Sequence, residues 1–271
     1  MAIITVSRGS FAGGQAIAQT LAQRLGCALL SREQLVQEAA ADYGIAEQQL
    51  IEALEQPPRF WQHVHCERLA YIKCATAVLL DHAREGQLVY HGYFGHLLLC
   101  GLAHVLRVRV TAERSWRVRA AMEACEMTPR QANAHIDRVD KQRDRWAKLI
   151  YGVRWDDPSQ HDLIVNVSRI TIPSACEMII KMSESERFRL TLQARKELED
   201  QSLSCRVSAA MARHRQTRGA ALQVIADGGK VVIAGNIASR KLIDAIPRIA
   251  EQVEGVRTLK CEVGMGRDWY W

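Results

Sequence analysis

The chain has 271 residues, 48% of them hydrophobic and 24% charged, with a formal net charge of +6. That length buries a sizeable core and favours two domains, and the composition excludes a disordered polymer. A surplus of +6 spread among acids suits a solvated surface or small anionic ligands, and no nucleic-acid partner is expected from it.

No basic leader precedes an apolar stretch at the start, and no apolar run reaches the ~18 residues of a membrane span, so the expected location is cytoplasmic. The eight cysteines, Cys27, Cys66, Cys74, Cys100, Cys125, Cys176, Cys205 and Cys261, lack C-x-x-C spacing. They read as small buried hydrophobes in a reducing compartment, not as zinc ligands.

The first predicted strand is Ile3-Ile4-Thr5-Val6-Ser7, followed by the turn Arg8-Gly9-Ser10-Phe11-Ala12-Gly13-Gly14 and a helix opening at Gln15 with Ile17, Leu21 and Leu25 in period. Strand, glycine-rich turn and helix in succession bring backbone N–H groups together at a helix N-terminus, where they can cradle a phosphate. In the full P-loop pattern a lysine and a hydroxyl follow the last glycine, and here Gln15 and Ala16 stand in their places. Arg8, Gly9, Ser10, Gly13, Gly14, Gln15 and Ala16 are therefore the candidate nucleotide-binding residues, with the usual charge and the usual magnesium hydroxyl missing. Taken alone, the same glycines also suit a plain tight turn beneath a helix.

A second strand is expected around Gly26 to Leu30, with Ser31 as N-cap of a helix through Leu35 and Ala39. A shorter helix near Glu47 to Leu54 ends at Pro57-Pro58, and a long one runs from about Phe60 to Arg84. His63 and His65 near its start lie two apart, on different helix faces, which argues against a shared metal ion. Leu88-Val89-Tyr90-His91, closed by Gly92, is a third strand expected beside the first. Val105 to Val110 is a fourth, and Asp162 to Val167 a fifth. Five apolar runs separated by helices predict an α/β fold, a mostly parallel sheet covered on both faces.

Residues 113 to 155 are highly charged and helical by composition, with Arg114, Arg117, Arg119, Arg130, Arg138, Lys141, Arg143, Arg145 and Lys148. Spacings of three and four gather many of them onto shared faces, which fits either a solvated helix pair or a phosphate clamp.

Ser7-Arg8, the Gly13-Gly14 turn, the strand ending in Gly92, Asp140-x-x-Arg143, and Tyr151-Gly152-Val153-Arg154-Trp155-Asp156-Asp157-Pro158 before Asp162-Leu163-Ile164-Val165-Asn166 together resemble the cytidylate-kinase-like branch of the nucleoside monophosphate kinases. The resemblance covers about residues 1 to 185. It implies a P-loop domain that binds ATP or another nucleotide, with Mg2+ as companion, and transfers a phosphoryl group to a pyrimidine nucleoside monophosphate. It also implies a lid whose arginines close over the transferred group, with Arg138, Arg143 and Arg145 as the catalytic candidates. The chain departs from the family where Gln15 replaces a basic residue and Tyr93 replaces an arginine. Two readings stay open: a weakened kinase, and an inactive nucleotide-sensing regulatory or scaffold protein.

From Pro173 to about Asp200 one long polar helix is expected, with Met178, Met182 and Phe188 as its apolar contacts and residues 186 to 199 as connector. A helix from Leu203 then leads into two alternating runs around Asp227-Gly228-Gly229, a strong hairpin signal. A helix carrying Leu242, Ile246, Ile249 and Val253 and a strand from Val256 to Val263 complete the unit. Asp227-Gly228, the strand ending at Gly235 and Glu254-Gly255-Val256 resemble the BON domain over about residues 200 to 265. That implies an α+β interaction module, for a protein partner or self-association. Residues 266 to 271 add Trp269, Tyr270 and Trp271, which would form a docking patch for a partner or a membrane surface if exposed and would be core if folded back, with docking the favoured reading.

Overall fold

The fold is taken from a computed structural model, which describes residues 2–7, 9–56, 64–214, 216–217, 220, 222–237 and 240–265. Arg8, His63 and the aromatic tail of residues 266–271 lie outside the described residues. The chain divides into two compact units, residues 1–34, 55–57 and 85–191 in one, and 35–54, 58–84 and 192–271 in the other.

The first unit is built on a five-stranded parallel sheet in the order β2-β3-β1-β4-β5. Its strands are β1 (Ile3–Ser7), β2 (Ala28–Ser31), β3 (Leu88–Gly92), β4 (Val105–Thr111) and β5 (Leu163–Asn166). β1 is central and buried along its whole length, Thr5 and Ser7 included, as befits a mostly apolar strand covered on both faces. Ile4 and Val6 meet Val89, Leu106, Val108 and Val110 on the face packed by α1 (Gly14–Leu25) and α8 (Ile172–Ser183) through Ile17, Leu21, Cys176 and Ile179. On the other face Tyr90 fills the space beside Gly92 and Gly95, where a Cβ would come within 2.2 and 2.5 Å of its side chain. The short α5 (Gly95–Leu98) can approach the sheet for that reason.

Ser31 closes β2 and caps α2 (Arg32–Tyr43): the Gln34 N–H donates to its Oγ at 3.2 Å, and its own N–H donates to Gln34 Oε1 at 3.0 Å. The charged stretch folds as α6 (Arg114–Cys125) and α7 (Pro129–Tyr151), the latter started by a capping box of Thr128 and Gln131 with proline in the first turn. Trp146 of α7 is fully buried and stacks on Phe94 with centroids 3.9 Å apart.

The expected single helix from Pro173 to about 200 is two helices. α8 ends at Ser183, a 3₁₀ turn occupies 186–188, and α9 runs as one piece from Leu192 to Arg213. Phe188 explains the break, because turning the chain there places its ring, 3% exposed, in the sheet core. Met178 and Met182 are exposed at 43% and 39%, and the packing face of α8 is Ala175, Cys176 and Ile179 instead. The cysteines also divide: Cys74, Cys176 and Cys205 are buried, while Cys100, Cys125 and Cys261 are exposed, near helix ends and on an edge strand.

The second unit contains α3 (Glu47–Glu55, through residue 54), α4 (Val64–Glu85, through residue 84), α9, α10 (Arg240–Ala250) and a three-stranded sheet, β6 (Leu222–Asp227), β7 (Lys230–Ile237) and β8 (Thr258–Met265). β6 and β7 form the expected antiparallel hairpin, with Gly228 at φ 55° and Gly229 at φ 86°, left-handed backbone that a two-residue turn of this kind requires. β8 runs parallel to β7. Leu203, Val207 and Met211 of α9 and Ile246 and Ala250 of α10 cover one face of that sheet. α9 also meets α4, where Ser202 Oγ donates to Asp81 Oδ1 at 2.9 Å. Among the described residues no helix is long and apolar enough to cross a membrane.

Candidate functional site

The glycine turn after β1 lines a cavity of about 580 Å³, bounded also by His91, Tyr93, Trp116, His135 and Arg143. α1 begins at Gly14 with Gly13 as its N-cap at φ 74°, and no side chain caps it. The Ile17 N–H bonds to the Gly13 carbonyl, so the N–H groups of Gly14, Gln15 and Ala16, three residues of the lining, precede the first intrahelical bond. Uncapped N–H groups and the positive end of the helix dipole make this wall an acceptor of anions. There is no room to spare behind it: a Cβ on Gly14 would sit 3.3 Å from His91 Nε2, and one on Gly9 2.8 Å from the Val110 carbonyl oxygen.

The turn is tied to α6 and α7. Arg117 Nε donates to the Ser10 carbonyl at 2.8 Å, and Arg117 Nη2 donates to Asp140 Oδ2 at 2.7 Å. Ser10 Oγ donates to Asp140 Oδ1 at 3.2 Å. Phe11 takes φ 55°, an uncommon conformation for a side-chain-bearing residue, and its ring packs with Val118, Ala121, Ala132 and Ile136 of the two helices. The packing of this partly buried ring offsets the local strain. Trp116 faces Gly13, its Cη2 3.5 Å from where a Cβ would stand.

The three arginines expected to act together are separated by the helix period. Arg143 is buried, 5% exposed, and lines the cavity. Its guanidinium lies 4.5 Å from the Tyr93 ring centroid and 5.5 Å from that of Trp155, with Asp140 Oδ1 at 3.8 Å from Nη1. Arg138 is exposed and bonds to His135 Nδ1 at 3.1 Å, one residue back from the cavity wall. Arg145 is exposed and is not part of the lining. Of the turn candidates, Gly9, Ser10, Gly13, Gly14, Gln15 and Ala16 all line the cavity, and Arg8 lies outside the described residues.

A column of alternating cations and rings runs beside the cavity. Arg109 lies 4.1 Å over Trp155 and donates to its carbonyl at 3.0 Å; Arg143 lies between Trp155 and Tyr93; Arg32 lies 5.7 Å from Tyr93 and pairs with Glu55 at 2.9 Å. Burial lowers the Arg109 pKa from its ordinary value. Arg107 holds Asp162 by two side-chain bonds of 3.0 and 2.8 Å and one from its backbone N–H at 2.9 Å. Burial alone would raise the Asp162 pKa, and those donors bring it below the usual carboxylate value. Next to them His96 and His161 pack with ring centroids 4.5 Å apart. Burial, then nearby Arg109, depresses His161 to about 4, and burial and His161 depress His96. Both rings are neutral at ordinary pH.

Trp116 and His135 are parts of this site that the sequence patterns did not single out, and nothing in them paired Arg117 with Asp140. A lone aromatic inside the charged Arg114–Arg119 run was the available signal for Trp116. Among the described residues no three His, Cys, Asp or Glu side chains group to hold a metal ion. Ala16 offers no side-chain oxygen, and Ser10 Oγ is engaged with Asp140, so this donor set does not fit a resident magnesium ion.

A parallel five-stranded sheet with a glycine turn leading from its central strand into a helix defines a kinase-like α/β protein of the P-loop class. The chain belongs to the cytidylate kinase-like family, whose family model matches residues 3–169, and it carries a BON domain, matched over residues 199–263. No curated protein matches it. Among solved structures it is similar to an uncharacterized protein from Eubacterium ventriosum, at 17% identity and TM-score 0.54, covering 69% of this chain and 100% of that one. Two further matches are shikimate kinase from Bacteroides thetaiotaomicron (11% identity, TM-score 0.41, 68% of this chain and 97% of that one) and shikimate kinase from Acinetobacter baumannii in complex with shikimate (11%, 0.39, 70% and 96%).

Proposed function

We propose that the chain binds a phosphorylated nucleotide, ATP or a relative, with its phosphates on the N–H groups of Gly14, Gln15 and Ala16. The observation that carries this is the uncapped start of α1, opening into a cavity of about 580 Å³ with Arg143 on its wall. Transfer to a pyrimidine nucleoside monophosphate is slow in this proposal, because Gln15 and Ala16 supply neither the charge nor the hydroxyl of a full P-loop. Residues 1–185 hold the nucleotide, 186–199 connect, and 200–265 serve as an interaction module for a protein partner, in the cytoplasm.

The test is calorimetry with nucleoside mono-, di- and triphosphates on the wild type and on Ala16→Asp. A carboxylate in the first turn favours the helix dipole and repels phosphate, so this variant keeps its fold while losing affinity at least tenfold. Equal affinity in the two proteins overturns the assignment.

A second reading is favoured by one observation, the packing of Arg143 between two rings beside Asp140. A cation so engaged is poorly placed to follow a transferring phosphoryl group, which fits a protein that senses nucleotide without turning it over. Single-turnover assays with radiolabelled ATP separate the two readings.

A further inference from the structure

The BON sheet ends in β8, which pairs with β7 in unbroken register from Thr258 opposite Lys230 to Met265 opposite Ile237 and has no strand on its other side among the described residues. Regular edges of this length are usually blunted by a bulge, a proline or charges. β8 has neither bulge nor proline, and most of its residues are exposed.

Its two charges are of opposite sign and two residues apart. Lys260 Nζ lies 2.6 Å from Glu262 Oε1, and both side chains are exposed, at 72% and 49%. Such a strand is self-complementary. Laid antiparallel against a second copy with Cys261 facing Cys261, it sets Lys260 opposite Glu262 and Glu262 opposite Lys260, while Leu259 meets Val263 on the other face. The backbone agrees with this register. The Thr258 N–H points to the Gly229 carbonyl on the β7 side. Alternation along the strand then turns the N–H and C=O of Leu259, Cys261 and Val263 outward, where the same dyad pairs all three. Leu259 and Val263 already flank the core of the domain, so the joined apolar face continues that core into the partner.

We propose that the protein forms a twofold dimer by antiparallel pairing of β8 with β8 of a second copy, centred on Cys261, giving one six-stranded sheet. This names a partner for the interaction role proposed for the module and rests on that role.

The experiment uses the full chain. Sedimentation velocity over a concentration series is expected to give a dimer for the wild type and monomers for Lys260→Glu and for Glu262→Lys separately. An equimolar mixture of the two variants returns the dimer, because every cross-strand pair is again of opposite sign. In a background of Cys100→Ser and Cys125→Ser, mild copper–phenanthroline oxidation links the dimer through Cys261, and Cys261→Ser abolishes the link. A monomeric wild type, or a mixture that stays monomeric, overturns the pairing. A dimer indifferent to both charge reversals also overturns it, while leaving the interaction role to another surface.

Discussion

The guanidinium of Arg143 lies over the ring of Tyr93, 4.5 Å from its centroid, at the point where the cavity wall passes from α7 to the end of β3. A desolvated pair of this kind contributes about 1–2 kcal/mol. Tyr93→Leu and Arg143→Met should each lower stability, and a double-mutant cycle by urea denaturation should return a coupling of about 1 kcal/mol. Strict additivity would mean that the ring and the cation are neighbours without interaction.

Arg117 and Asp140 fasten the glycine turn to α6 and α7. Arg117→Met removes two donors, to the Ser10 carbonyl and to Asp140, and leaves a half-buried carboxylate unpaired on that side. The expected cost is about 2 kcal/mol, from charged hydrogen bonds of partly buried groups. Hydrogen exchange at residues 9–16 should accelerate more than exchange in β1. Uniform acceleration over the whole chain would show global weakening and no local fastening.

Restoring the missing groups should restore transfer. Gln15→Lys with Ala16→Thr supplies a phosphate-facing cation and a magnesium ligand, and turnover should rise by about 10²- to 10³-fold, the size of other single electrostatic stabilisers. Phosphate release or coupled ATP consumption measures it. Robust turnover by the unmodified protein would show that these two positions are not limiting.

The buried pair His96 and His161 makes stability depend on pH. Unfolded His161 takes up a proton near 6.5 and folded His161 near 4, so between these values the unfolded chain holds more protons and stability falls as pH falls. Above 6.5 the contribution is constant. Urea denaturation should lose roughly 2–3 kcal/mol between pH 7 and pH 4.5 from this ring. His161→Leu should make that slope shallower, leaving the part that burial of His96 contributes. Asp162, whose pKa is lowered, loses its contribution only on further acidification, so it does not blur the window.

Local signals carried most of the fold. The β1 run, the Ser31 cap and the Asp227-Gly228-Gly229 hairpin depend on residues within a few positions, and each element formed where its residues predict. The site was half legible. The glycine turn is contiguous in the chain, but Arg117 reaches Ser10 across 107 positions, and no periodicity announces such a contact. Arg138, Arg143 and Arg145 looked alike as charges. Successive residues rotate by about 100° around a helix, which turns Arg143 inward while Arg138 and Arg145 face outward. The break between α8 and α9 was hidden because residues 184–191 contain neither glycine nor proline and Phe188 acts through a distant core.

The central place of β1 has a consequence for how the chain acquires its shape. Ile3 pairs with Leu88 on one side and Val105 on the other, so β1 leaves the ribosome with neither sheet neighbour made until much later segments follow. The apolar run must wait unpaired during synthesis, and its final closure is a long-range, slow event. The phosphate-facing turn is made early as sequence and late as structure, and nascent chains stalled before residue 105 should lack it entirely.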